Sequence, residues 1–339
     1  MKQTTTVTPE QQTDSQQQFQ FADLTPDLIL NALESINVFA ESGLLALNSY
    51  ENRVYQFLDC ERKRWVVKFY RPYRWTDAQI VEEHQFSQLL ADNEIPVVAP
   101  AAINNHTLHH YAGYRFSLFP SVGGRQFEVD NLDQLDQVGR YIGRIHRVAQ
   151  SQVFAHRPHF SIESHLLQPQ RDLVASNLVP HSLETAFFTV FEHVVNETQK
   201  RFVASDFIRL HGDCHPSNIL WRDGPMILDL DDCRMGPAVQ DIWMMLSGDY
   251  QQQQLQLDTV LEAYEEFHTF DNKQLALIEP LRAMRIIHYM AWLANRWQDS
   301  AFPRAFPWFS TEKYWEQQIL ALKEQLSALS EPAIKRLSI

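Results

Sequence analysis

The stretch Leu210-His211-Gly212-Asp213-Cys214-His215-Pro216-Ser217-Asn218-Ile219-Leu220-Trp221, followed by Ile227-Leu228-Asp229, constrains this chain most. Two short apolar runs, Ile219 to Trp221 and Met226 to Leu228, flank Arg222-Asp223-Gly224-Pro225. Runs that short, split by Asp-Gly, predict a tight β-hairpin. With Asp223-Gly224 as a two-residue turn, Arg222 faces Pro225, and counting outward sets Asn218 opposite Asp229. Directly opposed hairpin residues bring their side chains within about 5 Å of each other. An amide oxygen and a carboxylate at that separation suit Mg²⁺, whose hard oxygen ligands lie at about 2.0–2.1 Å. Asp213 then lies just before the hairpin, near the in-line position of an attacking hydroxyl.

An Asp followed five residues later by an Asn has the spacing of a phosphoryl-transfer catalytic loop, where the Asp orients a hydroxyl and the Asn holds Mg²⁺. Asp and Asn more often cap turns. Two carboxylates and an Asn around a hairpin of the right length favour the catalytic reading. A zinc reading of His211-x-x-x-His215 needs both imidazoles on one helical face with a Glu after the first. Gly212 follows His211 and Pro216 follows His215, so no such helix is expected.

At 339 residues the chain exceeds the roughly 250–300 residues at which a single core stops growing, so two lobes are expected. Its net charge of −13, with no Lys/Arg-rich run, would repel a nucleic-acid backbone. Cys60, Cys214 and Cys233 have no metal-binding spacing and cannot all pair, which fits reduced thiols in the cytoplasm. Residues 1 to 18 are rich in Gln and Thr, lack a signal-peptide pattern and read as a disordered tail. The sequence contains no run of about 18 apolar residues that would predict a membrane span.

Thr25-Pro26 predicts a helix start, with Thr as cap and Pro in the first turn. Strands are expected at Leu44 to Asn48, Arg53 to Leu58 and Trp65 to Tyr70, then a helix over 77–92 and strands at Thr107 to His110 and Tyr114 to Phe119. This order describes a small β-rich lobe over residues 19–120. Pro120-Ser121-Val122-Gly123-Gly124 is the break before a larger lobe over 121–339. Apart from the hairpin, that lobe reads as helical, with stripes at 132–149, 183–201, 238–247, 255–267, 274–297 and 311–329. The aromatic cluster from Trp292 to Trp315 reads as core.

Lys68, inside the apolar strand Val66-Val67-Lys68-Phe69-Tyr70, is costly to bury unless paired. Glu83 shares a helix face with Ile80, Phe86 and Leu90 and is the expected partner, with Glu82 as the alternative. Between the first two strands, Asn48-Ser49-Tyr50-Glu51-Asn52-Arg53 is placed to cover phosphates, yet it has no glycine. Its backbone N–H groups and the Ser49 hydroxyl are the candidate donors.

Together these segments resemble the aminoglycoside phosphotransferase-type, protein-kinase-like superfamily, and within it the stress response kinase A family of bacterial serine/threonine protein kinases. The resemblance rests on Asn48 to Tyr55, Val66 to Pro72, Glu82 to Phe86, Phe119 to Phe127, His211 to His215, Asn218 to Pro225, Asp229 to Asp232 and Glu279 to Arg285, and it spans about residues 20 to 330. It implies an α+β, bilobal protein-kinase-like fold with a small β-rich N-lobe and a larger, mostly helical C-lobe. It further implies catalysis at Asp213, Mg²⁺ at Asn218 and Asp229, ATP contact at Ser49, and a structural Asp at Asp241 that anchors the catalytic loop. Gly212 stands where ordinary protein kinases have Arg, and Asp229-Leu230-Asp231 replaces Asp-Phe-Gly. These departures argue against control through an Arg-bound, phosphorylated activation loop.

The resulting expectation is an ATP- and Mg²⁺-dependent kinase acting on Ser or Thr of proteins in a bacterial stress response. Autophosphorylation is expected at Thr4, Thr5, Thr6, Thr8 or Ser15, and no nucleic-acid or membrane partner. One alternative is a small-molecule kinase for an aminoglycoside, choline or a homoserine-like alcohol, because the same fold hosts both. A nucleotide-binding pseudokinase is a second, disfavoured by the intact Lys68, Asp213, Asn218 and Asp229. The helical run 251–330 is the expected wall of the acceptor site, aromatic and aliphatic rather than densely acidic.

Overall fold

The computed structural model describes residues 21–337 except Ser205. The Gln/Thr-rich stretch 1–18, with Thr4, Thr5, Thr6, Thr8 and Ser15, lies outside the described residues. The chain divides into two compact units, the first ending at Gly123 and the second beginning at Gly124.

In the first unit, α1 (Pro26–Glu34) begins where Thr25-Pro26 predicts it, with Thr25 Oγ1 accepting from the Leu28 N–H at 3.2 Å. An antiparallel sheet follows, made of β1 (Leu45–Ala46), β2 (Arg53–Leu58), β3 (Arg64–Phe69), β4 (His109–Tyr111) and β5 (Tyr114–Pro120) in the order β1-β2-β3-β5-β4. Between β3 and β4 lies α2 (Asp77–Asp92), whose first turn is closed by reciprocal bonds between Thr76 and Gln79. Strand alternation puts Trp65, Val67 and Phe69 of β3 on one face. They pair across to Phe57, Leu118 and Phe116 in a core that also takes Ile29, Ala32 and Leu33 of α1. Lys68 faces the other way, opposite Val54 and Ser117.

The second unit runs β6 (Arg125–Gln126), α3 (Leu132–Ala149), α4 (Gln168–Ser176), α5 (Glu184–Arg201), β7 (Ile208–Leu210), β8 (Ile219–Trp221), β9 (Pro225–Ile227), β10 (Arg234–Gly236), α6 (Gln240–Trp243), α7 (Tyr250–Glu265), α8 (Ile278–Asn295), α9 (Ala301–Ala305) and α10 (Glu312–Ser330). It is mainly helical, as the periodic stripes predict, with differences in detail. The stripe over 238–247 yields only the single turn α6, and helix also forms over 163–176, where none is expected. Strands β6, β7 and β10, two or three residues each, are too short to leave a periodic trace. From the aromatic cluster, Phe302, Phe309 and Trp315 are buried, while Trp308 is 40% exposed.

Helices α3 and α7 meet almost backbone to backbone. A Cβ on Gly139 would lie 2.6 Å from the Val260 carbonyl oxygen, and one on Gly143 would lie 2.5 Å from that of Tyr264. This approach sets His146, on the next turn of α3, against the Tyr264 hydroxyl at 2.9 Å.

The hairpin forms with a register one residue away from the two-residue expectation. Trp221 pairs with Pro225, Leu220 with Met226 and Ile219 with Ile227, so Arg222-Asp223-Gly224 is a three-residue loop and Asn218 stands opposite Leu228. A two-residue turn would need Pro225 to donate an N–H to the Arg222 carbonyl, and proline has none. Asp223 instead takes φ +57, and Arg222 N–H donates to the Gly224 carbonyl at 2.9 Å.

Candidate active site

Asp213 sits in a loop held from three sides. Strand β7 leads into it, and the antiparallel β7–β10 ladder sets Leu210 beside Arg234. The segment just after Asp229 is thereby fastened to the segment just before Asp213. At the junction Gly212 has φ +87, and a Cβ there would lie 2.2 Å from the Asp232 carbonyl oxygen. Neither the dihedral nor the space admits a side chain, which explains physically why this position cannot carry Arg.

Asp241, 1% exposed, provides the second hold. Its two carboxylate oxygens accept the backbone N–H groups of His211 and Gly212, each at 2.8 Å, and His146 Nε2 donates at 3.1 Å. Burial pushes the Asp241 carboxyl up, but these donors and nearby imidazoles outweigh it and hold the group below its ordinary range. The third hold is His211. Its Nε2 donates to the Leu228 carbonyl at 2.8 Å, which leaves Nδ1 to accept the Asp213 N–H at 3.3 Å.

The Asp213 side chain is half-buried and engaged at both oxygens. Arg285 on α8 donates to one at 2.5 Å, and His215 Nε2 lies 3.3 Å from the other. Burial raises its pKa; the His215 hydrogen bond and the Arg285 charge overcome this and hold Asp213 far below the usual carboxylate range. Such a group orients a hydroxyl well and is a poor base for removing its proton.

Asn218 donates from Nδ2 to the Asp213 carbonyl at 2.9 Å, which commits its amide nitrogen and makes Oδ1 the atom available to a cation. Asp229 is exposed, with left-handed backbone (φ +57, ψ +68), and opens the short 3-10 turn Leu230–Asp232. Arg157, itself buried, holds that turn by donating to the Cys233 carbonyl at 2.8 Å and to the Asp231 carbonyl. The Asn218 amide and the Asp229 carboxylate are hard oxygen donors, fitting an ion that keeps waters and takes phosphate oxygens. Among the described residues no group of three His, Cys, Asp or Glu side chains is arranged to hold a metal by itself.

In the first unit, Lys68 and Glu83 are both buried, at 7% and 2% exposure, whereas Glu82 is half-buried. The Lys68 ammonium lies 5.3 Å from the centre of the Tyr70 ring. Ser49 lies in the loop between β1 and β2. Guanidinium groups fasten this glycine-free loop. Arg71 donates to the Tyr50 and Glu51 carbonyls at 3.0 and 2.9 Å, Arg53 to the Tyr50 carbonyl at 3.1 Å, and Arg71 and Arg74 approach the Glu51 carboxylate at 3.2 and 3.5 Å. The buried Asn52 closes the set by accepting the Arg71 N–H at 3.1 Å.

Sequence reasoning assigned no role to Arg285, Arg157 or Arg71. Arg285 follows Asp213 by 72 residues and Arg157 precedes Cys233 by 76, separations that carry no periodic or motif signal. Beside Asp213 is a pocket of about 350 Å³, lined by the apolar Trp243, Met244, Leu246 and Ile286 and by His215, Arg282, Arg285 and Tyr289. Helix α8 supplies Arg282, Arg285, Ile286 and Tyr289 to this lining, whereas His215, Trp243, Met244 and Leu246 lie before the run 251–330 expected to form the acceptor wall.

The sequence profile of the phosphotransferase enzyme family matches residues 44–278. This chain belongs to that family, of protein-kinase-like fold, and within it to the stress response kinase A group. It is 51% identical to stress response kinase A of Escherichia coli (strain K12) over 94% of this chain and 97% of that protein. It is 49% identical, with the same coverage, to a Salmonella typhimurium protein named serine/threonine protein kinase RdoA. Among solved structures, amicoumacin kinase hAmiN, in complex with AMP-PNP, Ca²⁺ and Ami, superimposes with a TM-score of 0.68 at 15% identity, over 92% of this chain and 95% of that one. No helix among the described residues is long and apolar enough to cross a membrane.

Proposed function

We propose that this protein is a cytoplasmic Ser/Thr protein kinase that uses Mg²⁺-ATP and serves a bacterial stress response. The observation that carries the reading is the fastening of Asp213, in one unit, beside Asn218 and the Asp229 turn by Asp241, His211 and Arg157. In this reading Asp213 accepts the hydrogen bond of the acceptor hydroxyl and aims its oxygen at the γ-phosphorus. The new O–P bond forms as the bond to the ADP oxygen breaks, and the hydroxyl proton leaves to solvent. Asn218 Oδ1 and the Asp229 carboxylate would hold Mg²⁺, which supplies charge neutralisation on the phosphates when bound. Ser49 and the backbone of its loop would donate to ATP, and Lys68 would meet phosphate oxygens. Burial and helix register support Glu83, rather than Glu82, as the partner of Lys68. Asp241 positions the loop and touches no substrate.

The test is incubation of the purified protein with Mg²⁺ and γ-labelled ATP, alone and with a generic protein acceptor. Label is expected on Ser or Thr, including the protein's own Thr4, Thr5, Thr6, Thr8 or Ser15. Asp213→Ala should lose roughly 10²–10⁴-fold in rate while still binding nucleotide. The fold shared with an amicoumacin kinase supports one other reading, a small-molecule acceptor. Label entering only an added amino alcohol or aminoglycoside, never protein, would decide for it.

A further inference from the structure

The pocket beside Asp213 has a specific chemical character. Four apolar or sulfur-bearing side chains line it together with two guanidinium groups one helical turn apart, Arg282 and Arg285. A chain of net charge −13 thus presents paired cations where an acceptor must dock. Neither guanidinium is saturated. Arg282 lies over the Trp243 ring at 5.5 Å, its Nη2 reaches Gln253 at 3.3 Å, and its Nε is 3.4 Å from Glu279. That Nε is buried and makes no hydrogen bond among the described residues. The Arg282 side chain is 28% exposed and lines the pocket, so the outer edge of its guanidinium is open to a further anion.

Arg285 adds a second observation. Among the described residues its guanidinium donates to the Asp213 carboxylate, the oxygen pair an acceptor hydroxyl must approach. When a hydroxyl arrives there, Arg285 needs another acceptor or must turn to solvent. A carboxylate carried by the acceptor would take over that place and keep the guanidinium paired, and planar guanidinium groups match carboxylates in two-point geometry.

Building on the protein-acceptor reading, we propose that Arg282 and Arg285 form an acceptor-recognition subsite that selects Ser or Thr in an acidic peptide segment, with an apolar neighbour seated on Trp243 and Ile286. Arg285 exchanges Asp213 for the acceptor's carboxylate as the hydroxyl docks, and Arg282 fixes the register of the segment along α8. A polycationic acceptor meets two like charges in the same pocket and is rejected.

The test compares two otherwise identical Ser peptides, each with one apolar residue beside the Ser and either Asp/Glu or Lys flanking it, using the full chain and Mg²⁺-ATP. The acidic peptide should be used with kcat/KM higher by roughly ten-fold, mostly through KM. Arg282→Glu should reverse the preference and Arg282→Gln should bring the two peptides near parity. A thermal melt identifies whether each variant is folded, and the Gln variant retains a readout if the Glu variant is not. Equal use of both peptides by the unsubstituted protein, preference for the Lys peptide, or an unchanged ratio in a folded Arg282 variant would overturn the subsite while leaving the protein kinase reading intact. Labelling of an amino alcohol with no peptide or protein labelled would overturn both together.

Discussion

The loop over Ser49 and the loop over Asp213 are fastened in opposite ways. The first is tied by long guanidinium arms, Arg53 at the start of β2 and Arg71 just beyond β3, that reach its carbonyls, with Glu51 as a further ionic partner. The second is tied by its own backbone N–H groups to one buried carboxylate, Asp241, which His146 backs from a helix pair in close contact. A long arm must hold several rotatable bonds in one geometry to keep its contacts, so it yields more readily than a backbone tie. A buried carboxylate with three donors has no alternative partners, so the loop it holds is stiff. The yielding tie and the stiff one belong to different units, and the stiff one holds the loop that carries Asp213.

Removing Asp241 should strike hardest. Asp241→Ala leaves two backbone N–H groups and His146 without their acceptor in the core and should cost about 3–5 kcal/mol in urea unfolding, with phosphotransfer lost. Asp241→Asn should recover part of the stability, since the amide oxygen still accepts one bond. A folded, active Ala variant would abolish the contrast.

Gly212→Ala should cost less, about 1–3 kcal/mol, through the positive φ and the contact with the Asp232 carbonyl. Its effect on rate should exceed its effect on melting, because the displaced residue adjoins Asp213. Arg71→Ala tests the other side of the comparison. It should cost about 0.2–1 kcal/mol, raise the KM for ATP a few-fold (roughly 3-fold) and leave kcat nearly unchanged. Raising the salt from about 0.05 to 0.5 M should reproduce part of that KM change in the unsubstituted protein, as screening weakens the Arg71–Glu51 pair.

The smallest effect concerns acid. Asp213 and Asp241 both have folded-state pKa values below their unfolded ones. Their stabilisation is therefore fully present above the unfolded carboxylate value, about 3.9, and is lost only as pH falls through the lower folded values. Hydrogen-exchange protection of the amides of His211 and Gly212, corrected for intrinsic rates, should not change between pH 7 and pH 5. A decline over that interval would mean that the hold on this loop is not the buried carboxylate.

What could be read from the sequence followed the range of each interaction. Helix α2, with Ile80, Glu83, Phe86 and Leu90 all buried, and the capped start of α1 show in local periodicity and capping residues. The hairpin was legible as a hairpin, but its register turned on the N–H that Pro225 lacks, a detail the Asp-Gly signal hides. Asp213, Asn218 and Asp229 fall within 17 residues, so their placement around one hairpin was legible, but the pairing of Asn218 with Asp229 was not, since Asn218 stands opposite Leu228. Arg285 reaches Asp213, and Arg157 the Asp229 turn, only through tertiary packing, and no local spacing reports that. The β7–β10 ladder that joins the two functional segments has three residue pairs, below what alternation can reveal.

Gly212 also bears on how such a loop can evolve. A single substitution cannot install a basic side chain there, because the space belongs to the Asp232 carbonyl and the backbone has already turned left-handed. A larger side chain there would require the Asp232 segment to move with it. The His-Gly-Asp arrangement thus binds the choice of one residue to the path of a segment twenty residues further along the chain.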